Sequence, residues 1–185
     1  PLDRFLDELL ILRNFSVIWC IGDEGNSRHH AEGKFKKGLK GSQETEINVS
    51  AGMDGFMVQF WAEKPAVFRL TIITPAGEST GVITGNRIDF RRYEFVYGEG
   101  SVTVSYILSE DTSGWQMAVL RFLNPLHGIW RIRIDNTDDT VESRYHLWLP
   151  VSSFLSKEVF FPVSTPYMTL TSPVADSGLI TCSAY

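Results

Sequence analysis

Alternating strands dominate the middle of this chain. From about residue 34 to residue 150, short runs of alternating apolar and polar residues are separated by Gly, Pro, Asn and Asp turn signals. Trp130 and Ile132, for example, fall on one face of an extended chain, and Arg131 falls on the other. Such two-faced strands are typical of two antiparallel sheets packed face to face. The predicted strands are Thr45–Val49, Phe56–Trp61, Val67–Ile73, Gly81–Thr84, Arg87–Val96, Val102–Leu108, Gln116–Phe122, Trp130–Ile134 and Arg144–Leu149.

The segment before these strands, residues 1–33, has a different pattern. Apolar residues at helical spacing predict a helix over residues 1–12, and Ser16–Ile21 is a continuous apolar run. Continuous apolarity indicates a strand buried on both faces, as in a parallel sheet. The loop Gly22–Asn26 follows this strand, at the end where α/β sheets place their functional sites.

The last segment, residues 151–185, returns toward the first. It opens with a predicted helical turn at Val151–Leu155, continues as a Pro-punctuated coil and closes with a predicted strand, Leu179–Ala184. We expect this strand to pair with the strand that ends at Cys20. The chain is therefore predicted to be mainly β: an antiparallel β-sandwich over residues 34–150, inserted into a partial α/β scaffold. The number of strands favours a jelly-roll-like sandwich over the immunoglobulin type.

Composition excludes several functions. A net charge of −5 and a pI near 5.4 argue against nucleic-acid binding, and no apolar run reaches the ~20 residues of a membrane helix. Cys20 and Cys182 are predicted to be buried free thiols, and no Cys/His spacing indicates zinc. His29–His30 is interpreted as a solvated loop pair, so no metal and no cofactor are predicted. Because the chain begins at Pro1, we expect it to come from a longer protein; its compartment is not indicated.

The loop after the first strand resembles a motif of the subtilases, the subtilisin-like serine endopeptidases. The chain reads Cys20-Ile21-Gly22-Asp23-Glu24-Gly25, where the family has Ala-Ala-Gly-Asn-Glu-Gly. The continuation Asn26–His30 and the late segments Thr169–Pro173 and Ile180–Tyr185 are similar, more specifically, to clostridial Csp-type subtilases. In that group a jelly-roll domain is inserted between the oxyanion-hole Asn and the nucleophilic Ser, which matches the three-part layout of this chain.

The resemblance implies a role for each residue of this loop. Asp23 would occupy the oxyanion-hole position, and Cys20, Ile21 and Gly22 would line the pocket for the substrate residue before the scissile bond. No segment resembles the family's motifs around the catalytic Asp, His or Ser; that Ser would follow the final strand, beyond Tyr185. The chain is therefore interpreted as a fragment of a serine endopeptidase or pseudoprotease that is not proteolytic alone. Its implied partners are the remainder of the parent chain and a peptide or protein substrate.

Two alternatives stay open at this stage. Asp23 is also a residue type that caps turns. The chain would alternatively be a free-standing β-sandwich that binds carbohydrate or protein through exposed aromatic rings; Trp115 is the candidate, because Trp130 and Trp148 are predicted to lie in the core.

The basic, Gly-rich segment 34–41 is interpreted as a solvated linker.

Overall fold

The structure is a computed structural model that describes residues 2–12, 16–38, 41–85, 90–97, 100–107, 113–137, 140–170 and 180–182. Thr171–Pro173 and Ser183–Tyr185, which belong to the family resemblance, lie outside these residues. The helix α1 spans Leu2–Leu12, as predicted, and no described helix has the length and apolarity needed to cross a membrane. The strands are β1 Ile18–Cys20, β2 His30–Phe35, β3 Gly41–Val49, β4 Gly55–Ala62, β5 Phe68–Ile73, β6 Ile83–Thr84, β7 Arg91–Glu94, β8 Ser101–Ile107, β9 Gln116–Leu123, β10 Gly128–Asn136, β11 Ser143–Trp148, β12 Val159–Phe160 and β13 Ile180–Cys182.

Two antiparallel sheets form the body of the molecule. One has the strand order β12-β3-β10-β5-β6 and the other the order β2-β11-β4-β9-β8-β7. The predicted antiparallel sandwich is confirmed, and each of the nine predicted strands has a counterpart. The edge strands β2 and β12 were not predicted from the sequence. The linker interpretation was wrong at Lys34, which lies in β2 and pairs with Glu142 at 2.7 Å.

The core lies between the two sheets and explains the alternation in the sequence. In β10, Trp130, Ile132 and Ile134 are fully buried, while Arg131 and Arg133 point to the other side. Rings from both sheets meet here; Phe122 of β9 contacts Trp130 edge to face, with 5.2 Å between ring centroids. The Trp130 indole N–H donates to the Leu126 carbonyl at 2.8 Å, so the buried donor is satisfied. Each such side chain stabilises the fold by about 1.5–3 kcal/mol through burial.

A third, small sheet joins the two ends of the chain. Strands β1 and β13 pair in parallel, with Ile18 opposite Ile180 and Cys20 opposite Cys182. Backbone bonds from the Ile180 N–H to Val17 and from the Ile21 N–H to Cys182, of 3.0 and 3.1 Å, extend the ladder. The predicted pairing of the chain ends is therefore confirmed.

The predicted burial of this sheet was wrong. Ile18 is 65% exposed, and Cys20 and Cys182 are exposed free thiols. The apolar run fits a strand that is covered on both faces, but within the described part of the chain both β1 and β13 are exposed along their whole length.

Candidate functional site

The loop that follows β1 begins with a turn at Gly22 and is exposed to solvent there. Gly22 adopts a left-handed backbone with φ +82°, a conformation that a side chain would strain. Asp23 is exposed and precedes the short 3-10 turn Glu24–Asn26, but its side chain makes no capping hydrogen bond to that turn. Its carboxylate therefore faces solvent at the carboxyl end of β1. Cys20 and Gly22 are also exposed and Ile21 is half-buried; their role in substrate binding stays a prediction.

Glu24 anchors this loop to the third segment of the chain. Its carboxylate accepts hydrogen bonds from His29 Nδ1 at 2.8 Å and from the Ser152 backbone N–H at 3.0 Å. Partial burial raises the pKa of Glu24, but the bonds from Ser152, Ser27 and His29 together outweigh it and bring the pKa below its ordinary value. The ionised side chain thus ties the turn after β1 to the 3-10 turn Ser152–Phe154 after the sandwich.

A cluster of three polar side chains lies on the outer face of the six-stranded sheet. The register of β2 and β11 places Glu32 directly opposite His146 and His30 opposite Trp148. His30 Nε2 lies 3.1 Å from His146 Nδ1, which lies 3.6 Å from a Glu32 carboxylate oxygen. His29 and His30 are both buried, so the solvated-loop interpretation of this pair was wrong.

The protonation of the two clustered imidazoles follows from their partners. The Tyr167 carbonyl, 2.7 Å from His30 Nδ1, can only accept, so His30 carries its proton on Nδ1 and leaves the Nε2 lone pair free. Desolvation by burial lowers the pKa of both His30 and His146, so both rings are neutral at pH 7. A neutral His30 and a neutral His146 share one proton between their facing nitrogens.

His30 and Trp148 hold the segment that leads back toward β13. His30 Nδ1 donates to the Tyr167 carbonyl, and the Trp148 indole N–H donates to the next carbonyl, of Met168, at 3.2 Å. The Thr165 N–H bonds to the His30 carbonyl at 2.9 Å. We call these three hydrogen bonds the return clamp. It fixes residues 165–168 against the outer face of the sheet.

A largely apolar cavity of about 390 Å³ lies between the return clamp and the loop after β1. Glu24, His30, Trp148, Phe154 and Met168 are among its walls. The prediction that Trp148 belongs to the core was wrong, because it lies on the opposite face of its strand from the core residue Leu147 and is half-buried.

A known protease structure shares the fold of this chain. No family model matches the chain, and no curated protein matches it. Among solved structures, it is similar to the Clostridium perfringens CspB protease, with a TM-score of 0.84 and 25% sequence identity. The fold is subtilase-related. The similarity covers 100% of this chain but 37% of that protein's chain, so these residues span little more than a third of the protease.

The parts of the site that depend on tertiary structure were not predicted from the sequence. Glu24 belongs to the quoted motif but had no predicted role, because its partner Ser152 lies 128 residues away. His30 and His146 are 116 residues apart. The one local signal was the spacing of His30 and Glu32, which places both on one face of an extended strand.

Proposed function

We propose that this chain is the oxyanion-side part of a subtilisin-like serine endopeptidase, or of an inactive relative, together with its accessory β-sandwich. It requires the rest of the parent chain to cleave peptide bonds. The observation that carries the proposal is the parallel pairing of β1 with β13 across the inserted sandwich.

This pairing brings two functional positions to one edge. Cys20 is in register with Cys182, so the carboxyl ends of the two strands lie side by side. Active sites of open α/β sheets lie at the carboxyl ends of the strands. In the proposed parent, the nucleophilic Ser follows β13 and meets Asp23, which follows β1. A separate sheet at the chain ends supports this assignment over a free-standing sugar-binding sandwich, in which both ends would be ordinary sandwich strands.

The three segments have distinct roles in the proposed enzyme. Residues 1–33 supply the oxyanion-side loop, with Cys20, Ile21 and Gly22 along the pocket for the substrate residue before the scissile bond. Residues 34–150 form most of the accessory sandwich, and residues 30–33 of β2 and the strand β12 complete its two sheets. Glu24 holds the oxyanion-side loop to the third segment through the Ser152 N–H. Residues 151–185 return the chain to the catalytic body. The catalytic Asp, His and Ser belong to the remainder of the parent chain.

Asp23 sets the activity expected of this parent. An oxyanion hole needs hydrogen-bond donors, and an ionised carboxylate only accepts. Asp23 therefore removes one donor and adds a negative charge beside the developing oxyanion. Loss of one such donor costs about 3–4 kcal/mol of transition-state stabilisation. The parent is accordingly a weakened peptidase or a pseudoprotease.

The test is Asp23→Asn in the full-length parent. With an intact triad, the restored amide donor should raise kcat for a peptide substrate by about 10²–10³-fold and change KM much less, because the oxyanion exists only in the transition state. Asp54→Asn, which removes an exposed carboxylate from the sandwich, is the matched control and should leave kcat unchanged. Unchanged turnover of the Asp23 variant in a parent with a working triad would contradict the assignment.

A second experiment addresses the chain on its own. We expect the 185-residue chain neither to hydrolyse peptides nor to react with a fluorophosphonate probe, which labels activated serines. Mass spectrometry of the treated chain locates any adduct. Labelling of a serine within these residues would refute the proposal that the nucleophile lies elsewhere.

A further inference from the structure

We propose that His30, Glu32 and His146 form a binding site for a divalent transition-metal ion with zinc-like ligand preferences. The site lies on the outer face of the sandwich and is independent of the proposed peptidase function. Their ligand atoms all lie within 4.8 Å of one another. Two imidazoles and one carboxylate are a donor set that suits Zn²⁺.

The strand pairing holds the three side chains in place. Glu32 and His146 are directly opposed across the antiparallel pair β2 and β11, and His30 lies two residues before Glu32 on the same face. Two donors on a tetrahedral zinc ion lie about 3.3 Å apart, given zinc–nitrogen bonds of about 2.0 Å. The separations of 3.1 Å, between the two imidazole nitrogens, and of 3.6 Å, between His146 and Glu32, bracket this value. The third pair, His30 and Glu32, lies within 4.8 Å, so a rotation of the half-exposed Glu32 side chain is needed to bring all three donors to metal-binding distance.

The surroundings of His30 are those of a metal ligand. Its Nδ1–H donates to the Tyr167 carbonyl, which fixes the ring and directs the Nε2 lone pair at the cluster. Metal-bound histidines are usually oriented by such a hydrogen bond from the other ring nitrogen. The ring is fully buried and lies parallel to Trp148, with 4.7 Å between centroids, so little freedom is lost on binding.

The proton shared by the two histidines occupies the position between their facing nitrogens that the metal ion would take. His146 Nδ1 donates it to His30 Nε2 when no ion is bound. On metal binding this proton moves to His146 Nε2, so both facing lone pairs bind the ion and the rings stay neutral. Glu32, with its side chain 46% exposed, contributes one negative charge and leaves a route from solvent to the remaining coordination position.

Zinc titration of the metal-free 185-residue chain at pH 7, followed by calorimetry, tests the proposal. With Cys20 and Cys182 replaced by serine, so that these exposed thiols do not compete for the ion, we expect saturable binding of a single Zn²⁺ per chain. Glu32→Gln should lower the affinity by at least about tenfold, and a half-exposed position makes this variant compatible with folding. His146→Gln should abolish binding. Co²⁺ should give visible absorption bands typical of nitrogen coordination in the native chain and not in the His146 variant.

Two controls separate this site from adventitious binding. His127→Gln removes an exposed histidine, and Glu142→Gln removes a carboxylate 48% exposed next to β11; neither should change the affinity. Absence of saturable binding to the native chain would overturn the proposal, as would an affinity undiminished in Glu32→Gln and His146→Gln. Either result would leave the two histidines as a proton-sharing pair only.

Discussion

Replacing Glu24 with alanine should detach the loop after β1 from the rest of the molecule. The side chain is 11% exposed, and its partner His29 is 9% exposed, so water replaces their bond poorly. A hydrogen bond to a charged group contributes about 1.5–3 kcal/mol to stability. The bond to the Ser152 N–H adds less, because Ser152 is exposed and water can take the place of the carboxylate. The expected loss in the free energy of unfolding is therefore about 2–3 kcal/mol.

The effect of Glu24 depends on pH in a known direction. Its pKa is lower in the folded chain than its ordinary value of 4.5, so the carboxylate stabilises the folded state fully above that value. This contribution is lost as the pH falls through the folded-state pKa. The difference in stability between the native chain and Glu24→Ala should thus shrink as the pH falls below about 4.5.

Urea and thermal unfolding, followed by tryptophan fluorescence, measure this difference. In a chain of this length, 2–3 kcal/mol lowers Tm by about 5–10 °C. Glu158→Ala is the matched control, because Glu158 forms a 3.6 Å ion pair with Arg28 in which both side chains are exposed. Such exposed pairs contribute about 0–1 kcal/mol to stability. If Glu24→Ala were no less stable than Glu158→Ala, the loop would not be anchored as described.

Three further outcomes are expected. Cys20 and Cys182 should react with a thiol reagent in the native 185-residue chain and be protected in the proposed full-length parent; protection in the 185-residue chain would contradict the exposure of β1 and β13. Gly33→Ala should destabilise the sandwich by about 1–3 kcal/mol in urea unfolding, because a Cβ there would overlap the Tyr145 ring; unchanged stability would contradict this close approach. Burial raises the pKa of Tyr106 to about 12, so Tyr106→Phe should remove a late step from the ultraviolet titration and leave earlier steps intact.

The sandwich was predictable from sequence because its strands follow a local rule. In β10 and β4, every second residue is buried, and the alternation is visible without knowledge of the partner strand. Strand β2 breaks this rule. Gly33 stands where a core residue is expected, since the Tyr145 side chain fills that space, and the lysines that follow suggest a linker. Strand β12 has two residues, too few for a periodic signal.

The candidate site was predictable only where a motif carried it. The loop around Asp23 was found through its resemblance to a family, and the structure places it at the end of a strand, as expected. The Glu24 anchor and the histidine cluster join residues more than a hundred positions apart, which only the tertiary structure brings together; in the cluster this happens through the pairing of β2 with β11. The exposure of β1 was mispredicted because an apolar sequence indicates that a strand is suited to burial on both faces. It does not indicate whether the described chain contains the elements that would cover those faces.

The side-by-side arrangement of β1 and β13 has an evolutionary consequence. Adjacent strands lie about 4.8 Å apart, so the chain leaves the small sheet of β1 and β13 for the sandwich and returns to it at nearly the same point. A module attached in this way can be gained, lost or exchanged without moving the host's backbone, since a short turn spans the same gap. In the proposed parent, the catalytic body and the sandwich are thus free to diverge at different rates, with the Glu24 anchor and the return clamp as the contacts that must change together.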